Sequence, residues 1–177
     1  MLDQLRIFNL KKFKDDRGYF QEAFNSLISK EIGVEFLQDN ESLSKQGVIR
    51  GMHYQWSDPM GKLVRCSYGT IIDVVVDIRE GSPDYGIPKY FTLSSFNSEC
   101  LWVPPGFAHG FEVLSNEALV NYKCSSYYNK NGESGISPFD EDFNIKWMST
   151  NPIVSEKDLN AKSFCEYNNE VKFRINQ

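Results

Sequence analysis

Histidine is scarce in this chain: two of 177 residues, His53 and His109. A metal centre needs three or four His, Cys, Asp or Glu ligands at workable spacing. The sequence holds no His-x-His, His-x3-His or Cys-x2-Cys pair. Carboxylates would have to complete any such site, and no metal is expected. No Gly-x-Ser-x-Gly turn and no phosphate-cradling glycine loop occurs either, which removes the common hydrolase and nucleotide-loop signatures. Basic charge is short: 19 Lys and Arg stand against 24 Asp and Glu, a formal net charge of −5. The basic footprint of a nucleic-acid binder is therefore missing. Long hydrophobic runs are missing too. The longest is broken by Asp73 and Asp77, and no stretch reaches the length of a membrane span. The N-terminal stretch Met1–Lys12 lacks the apolar core of a secretory signal. Without an export signal, the scattered Cys66, Cys100, Cys124 and Cys165 read as reduced thiols of a cytoplasmic protein.

What the chain does contain is apolar and aromatic residues, at 41% and 14%. That share supports a packed core and excludes a disordered chain. No repeat or linker divides residues 1–177, so one domain is expected. From about residue 47 to 128 the pattern is repeatedly β. Leu63–Tyr68, Thr70–Ile78, Lys89–Ser94, Glu99–Val103, Phe111–Leu114 and Ala118–Ser125 each read as strands. In Thr70–Ile78, Asp73 and Asp77 do not fit one strict alternation, so a mostly buried strand with polar ends is expected. Arg79–Gly86 reads as a turn cluster, and Pro104-Pro-Gly106 stops the strand before it. Cys66 and Cys124 fall in strand-like runs as small core residues. Asn25–Ile32 reads as a capped helix ended by Gly33, and Ser155–Ala161 as a short turn or helix. Short, regularly spaced strands with helical additions indicate an all-β jelly roll, sandwich or barrel, with short flanking helices.

Each histidine sits in a Gly-punctuated segment with apolar and aromatic neighbours: Gly47-Val-Ile-Arg-Gly-Met-His-Tyr-Gln55 and Trp102-Val-Pro-Pro-Gly-Phe-Ala-His-Gly-Phe111. Histidine exchanges protons near neutral pH, so the pair suggests a pocket that moves protons. Taken singly, a histidine beside apolar residues is more often a satisfied core residue than a catalyst. Arg50, Lys62, Tyr122 and Tyr128 add donors and proton carriers. That inventory suits proton abstraction beside a carbonyl, which needs a base, a group to hold the enolate oxygen, and an acid. Residue types alone do not select this chemistry, because most folded domains own such a set.

The motifs sharpen this. They are Asp16-Arg-Gly-Tyr-Phe-Gln-Glu22, Gln38-Asp-Asn-Glu-Ser42, the His53 segment and Gly61-Lys-Leu-Val-Arg65. Further along come Asp73-Val-Val-Val-Asp-Ile-Arg79, the His109 segment, Tyr122-Lys-Cys-Ser-Ser-Tyr-Tyr128 and Ser155-Glu-Lys-Asp158. In this order and spacing, from about Phe13 to Asp158, the chain closely resembles the RmlC-type nucleotide-sugar epimerases, the dTDP-4-dehydrorhamnose 3,5-epimerase family. The resemblance implies a cupin-type jelly roll, a homodimer, and neither metal nor organic cofactor. The implied substrate is a nucleoside-diphospho-4-keto-6-deoxy sugar, epimerised at C3, C5 or both, in deoxysugar biosynthesis for surface polysaccharide such as lipopolysaccharide or capsule.

Site roles follow from the same resemblance. His53 matches the base and Asp158 the carboxylate that orients it. Lys62 matches the group that stabilises the enolate oxygen, and Tyr122 the acid that protonates the opposite face. Arg50 and His109 fit the lining around sugar and diphosphate. Gln38, Asn40 and Ser42 line the same pocket, and Tyr128 and Glu133 fall where the family contacts the nucleotide half. Arg17, Phe20 and Glu22 resemble a segment that reaches into the neighbouring subunit's site. Read as bare sequence, Asp15–Gly18 is a turn, Asp158 a helix-end surface acid, Lys62 a solvated lysine, Tyr122 a packed residue and Arg50 a strand arginine paired to Asp or Glu. The chain departs from the family at Met52, at Gln55–Gly61, at Ser134–Phe139, which lacks basic residues, and after Asp158. The C-terminal extension from about residue 159 matches nothing in the family pattern. Three alternatives stay open. One is a C3-only or C5-only epimerase on a GDP-, CDP- or dTDP-linked hexose or heptose. Another is a 3,4-ketoisomerase on a related jelly roll. The last is a non-catalytic sugar-binding cupin module, which predicts loss of a proton-transfer residue, whereas His53, Lys62, Tyr122 and Asp158 are all retained.

Overall fold

The computed structural model describes residues 3–175. Met1 and Leu2 of the N-terminal stretch, and Asn176 and Gln177 of the C-terminal extension, lie outside the described residues. In chain order the elements are β1 (Arg6–Asn9), β2 (Lys12–Asp15), β3 (Gly18–Gln21), α1 (Ser26–Ile32), β4 (Gln38–Lys45), β5 (Ile49–Gln55) and β6 (Lys62–Tyr68). Then follow β7 (Thr70–Asp77), β8 (Arg79–Glu80), β9 (Pro88–Ser94), β10 (Glu99–Val103), β11 (Phe107–Val113) and β12 (Glu117–Cys124). The chain closes with β13 (Glu133–Gly135), α2 (Glu156–Leu159), α3 (Phe164–Asn169) and β14 (Phe173–Arg174).

Two five-stranded antiparallel sheets face each other, in the orders β1-β10-β6-β12-β4 and β13-β5-β11-β7-β9. This is the cupin-type jelly roll expected of the sequence. Val64, Cys66 and Val120 of the first sheet meet Ile71, Val75, Leu93 and Phe111 of the second in one buried core. Burying such side chains stabilises the fold by roughly 1.5–3 kcal/mol each. This apolar plug fills one part of the sandwich and leaves the part lined by longer polar side chains open. A second cluster backs the other sheet, where Met52, Tyr54, Val74 and Val76 pack beneath Phe164 and Tyr167. The residues after 159 are therefore part of the packed body. Tyr167 donates to the Ile78 carbonyl at 2.7 Å, and β14 pairs in parallel with β8. So Arg79–Glu80, expected as turn, is a short strand.

Local signals explain the helix. Asn25 caps α1 by accepting from the Leu27 N–H, and Gly33 ends it in a left-handed conformation at φ 79°. The strand alternation in β7 also resolves. Asp73 and Asp77 are four residues apart, share the inner face with Ile71 and Val75, and are both buried. Asp77 is the polar strand end expected, buried because it pairs with Arg79, whereas Asp73 is an interior residue whose partner is His109. The His109 segment also differs from expectation. The strand starts at Phe107, and His109 lies inside β11, because β11 continues after the Pro-Pro-Gly turn and pairs with β7 from Phe107 onward.

Candidate active site

Two glycines bring the two histidine segments together. A Cβ on Gly51 would lie 2.5 Å from the Gly110 Cα, and Gly51 has a φ of 143°. Only residues without a Cβ permit β5 and β11 to approach this closely. In that register His53 stands directly opposite His109.

Each histidine has its own carboxylate. His53 Nε2 lies 2.7 Å from Asp158 Oδ1, and the Gly51 N–H donates to Asp158 Oδ2 at 3.3 Å. Asp158 comes from α2, whose N-cap is Ser155. Burial pushes the Asp158 carboxyl up, but the His53 ring, the Gly51 N–H and the Ser155 side chain outweigh it and hold the group below its ordinary range. Asp158 is thus ionised at neutral pH and accepts the Nε2 proton. Nδ1 is then the His53 nitrogen with a lone pair to take up a proton. The surface-acid alternative for Asp158 does not hold, since its side chain is 6% exposed. His109 Nε2 lies 2.9 Å from Asp73 Oδ2, with Asp73 fully buried and His109 nearly so.

The opposing sheet supplies the other polar groups. Tyr122 and Lys62 alternate with outward-facing neighbours on adjacent strands, since Tyr122 pairs with Val64 and Lys62 with Cys124. On one sheet face this diagonal places side chains about 7–8 Å apart at the backbone, within reach of long groups. Burial is the main influence on both. It pushes the Tyr122 phenol up, which keeps it protonated at neutral pH, and it pulls the Lys62 ammonium down. The nearby Cys124, Glu133 and Asp73 partly offset the effect on Lys62. Lys62 is half-buried and its side chain lines the cavity described below, so the solvated-lysine alternative is set aside. Arg50 donates to Ser44 Oγ at 2.9 Å, so its partner is a hydroxyl where a strand arginine would take a carboxylate.

These groups surround one cavity of about 580 Å³. His53, His109 and Arg50 line it from one sheet, and Lys62, Tyr122 and Ser42 from the other. Ser155, Lys157 and Asp158 line it from the C-terminal segment, with Glu133 beside them. A smaller recess of about 90 Å³ adjoins it, sharing His53, Lys62, Tyr122 and Glu133 and adding Gln38, Asn40 and Tyr128. At the rim, Glu133 accepts from Tyr128 OH at 3.0 Å and from Lys157 Nζ at 2.8 Å. Burial raises the Glu133 carboxyl, and the Lys157 and Tyr128 donors more than reverse that. Among the described residues no group of three His, Cys, Asp or Glu side chains is arranged to hold a metal ion.

A family profile described as dTDP-4-dehydrorhamnose 3,5-epimerase matches residues 1–166. The chain belongs to this epimerase family. It is 48% identical over 164 residues to the dTDP-4-dehydrorhamnose 3,5-epimerase of Shigella flexneri, covering 90% of this chain and 91% of that one. It is 46% identical to the enzyme of the same name from Methanothermobacter thermautotrophicus, over 93% and 92% of the two chains. In fold it matches the crystal structure of an RmlC epimerase from Legionella pneumophila in complex with dTDP-4-keto-L-rhamnose. The TM-score is 0.93 at 40% identity, covering 99% of this chain and 96% of that one.

Eleven of the expected site residues of this epimerase-family chain thus line the cavity or its recess. Three do not. Arg17 and Phe20 lie on the β2–β3 hairpin and Glu22 just after it, all exposed, with Phe20 at 69%. Among the described residues Arg17 pairs only locally, with Asp15 at 2.6 Å, as the bare turn implies. Sequence reasoning missed Asp73 as a site residue. The available signal was a carboxylate inside a β-branched apolar run, since a buried carboxylate must find a partner. It also missed Lys157, whose neighbour Asp158 it did name.

Proposed function

We propose that this chain is a cofactor-independent 3,5-epimerase of dTDP-4-dehydrorhamnose type, acting in the cytoplasm on a dTDP-linked 4-keto-6-deoxy sugar. The observation that carries this is a His53–Asp158 pair on one wall of the cavity, with Tyr122 and Lys62 on the opposite wall. The C4 ketone acidifies the protons on C3 and C5. His53 Nδ1 takes such a proton, and Asp158 stabilises the resulting imidazolium. The electron pair moves onto the C4 oxygen, where the half-buried Lys62 ammonium meets the developing charge. Tyr122 then delivers a proton from the other sheet, which is the opposite face of a sugar lying between the walls. That face change is the inversion. Before the next turnover the His53 imidazolium gives its proton to water and the Tyr122 phenolate regains one from water, so the enzyme returns to its starting protonation with no net proton gained.

Arg50 faces the cavity without a carboxylate partner among the described residues. Its forked guanidinium suits the diphosphate. Asp73 fixes the ring of His109 beside the sugar. Gln38, Asn40 and Ser42 hydrogen-bond the sugar, and Tyr128 and Glu133 meet the nucleotide half. The exposed β2–β3 hairpin, with Arg17, Phe20 and nearby Glu22, is read as an arm that completes the site of a second copy, making the functional unit a homodimer. The whole is read as one domain, residues 1–177.

The experiment is incubation with dTDP-, GDP- and CDP-linked 4-keto-6-deoxy sugars in D₂O, with deuterium followed at C3 and C5 by NMR. The expected result is label at both carbons with the dTDP sugar. Label at a single carbon would make it a mono-epimerase. Absence of label with every substrate would favour a binding module.

A further inference from the structure

One buried carboxylate takes no part in the chemistry above. Glu112 is 1% exposed and lies three residues after His109 on β11. It is not part of the cavity wall. Its two oxygens each accept a backbone N–H at 2.7 Å, Oε2 from Met148 and Oε1 from Ser149. These are short, charge-assisted bonds to the start of the segment that ends in Asp158.

We propose that Glu112 is the positioning residue that sets Asp158 against His53. The inference rests on the reading of His53–Asp158 as the base pair. From Ser149 the chain runs to Ile153, which is stitched to the strand edge by Ile153 N–H to the Gly47 carbonyl and Ile49 N–H to the Ile153 carbonyl, both at 2.9 Å. Two residues later Ser155 caps α2, and Asp158 follows. Ile153, Val154, Ser155 and Lys157 of the same segment line the cavity. Glu112 therefore fixes one end of a ten-residue strap whose other end carries the carboxylate on His53. Two adjacent N–H donors need two acceptors. Only a carboxylate supplies both; a glutamine offers one acceptor and points an NH₂ at the second donor. Because β11 also carries His109, one strand sets both histidine–carboxylate pairs, one directly and one through the strap.

The test uses the full chain labelled with ¹⁵N in the imidazole rings. With two histidines in the sequence, the spectra are assigned by His53→Asn and His109→Asn. In Glu112→Gln the His53 Nε2 signal is expected to move toward its position in Asp158→Asn, while the His109 signal stays. Turnover is expected to fall about 10–100-fold in kcat with KM little changed, as a displacement of about 1 Å in a reacting group does. In the Asp158→Asn background Glu112→Gln is expected to add almost nothing. Equal losses in both backgrounds, or an unmoved His53 signal, would overturn the proposal. Movement of His109 alone would also overturn it, since the effect would then run along β11. If Glu112→Gln does not fold, Glu112→Asp keeps the charge, withdraws it by one methylene, and is read the same way. Failure of the underlying reading looks different: Asp158→Asn then keeps its turnover, while the link from Glu112 to the His53 signal still supports the positioning.

Discussion

His53 and His109 are cross-strand partners, yet they answer to different carboxylates: Asp158 from a C-terminal helix and Asp73 from the neighbouring strand. The first pair is partly open to the cavity and the second is largely buried, with side-chain exposures of 29% for His53 and 8% for His109. That asymmetry supports the proposed assignment of proton exchange to His53 and of fixed lining to His109.

Removing a placed acid or base costs about 10²–10⁴-fold in rate. Tyr122→Phe is expected to lose this much kcat and to keep the fold, checked by circular dichroism. It is also expected to retain exchange of a substrate proton with solvent deuterium, because His53 remains. Complete loss of exchange would mean that Tyr122 does more than reprotonate.

Lys62 places function against stability. Burial disfavours its charged form, so its folded pKa lies below the ordinary lysine value of 10.5. The penalty on the fold is then full below the folded pKa and is relieved as pH rises toward 10.5. Lys62→Met is expected to raise Tm, by about 2–4 °C per kcal/mol recovered, and to abolish most turnover. The Tm gain should shrink as the pH is raised through the alkaline range in thermal melts.

Asp158 has the opposite sign. Its folded pKa is held below 3.8, so its contribution is full above that value and is lost as pH falls through the folded pKa. Asp158→Asn is expected to melt below wild type at neutral pH, with the gap closing as the pH drops below 3.8. A constant gap across that range would contradict the ionised pair.

Asp73→Asn removes the charge beside His109 but keeps the shape. Leaving a buried polar group poorly matched costs about 1–3 kcal/mol. A measurable fall in Tm is expected together with a kcat loss smaller than that of His53→Ala. A larger loss would assign His109 the leading proton transfer.

The arm proposal is checked by complementation. A chain carrying Arg17→Ala and Phe20→Ala is expected to bind substrate weakly, and His53→Ala to be inactive. Mixed dimers are expected to regain activity, because one site then combines an intact His53 with an intact arm. No recovery on mixing would confine each site to one chain.

Local chemistry made much of this legible. The Asn25 cap and Gly33 stop delimit α1, and Glu99–Val103 is a strand to the residue. The motif residues His53, Lys62, Tyr122 and Asp158 do converge, although Asp158 is 105 positions from His53. What local pattern does not carry is partnership at a distance. Asp73 looks like a flaw in an apolar run until β11 brings His109 beside it. Phe107–His109 looks like a loop because Pro and Gly precede it, and becomes strand through pairing with β7. Residues after 159 read as an extension outside the family pattern, yet the family profile runs to residue 166, and Phe164 and Tyr167 are buried against the sheet. The same limit hid Glu112, whose partners are backbone groups 36 and 37 residues away.

The central claim is that His53 takes the proton beside the ketone. It is tested most directly by following deuterium entry at C3 and C5 of a dTDP-4-keto-6-deoxy sugar in D₂O with wild type and His53→Ala. The account predicts label at both carbons with wild type, and label slowed about 10²-fold or more at both with the folded variant. Entry at the wild-type rate in His53→Ala would contradict it.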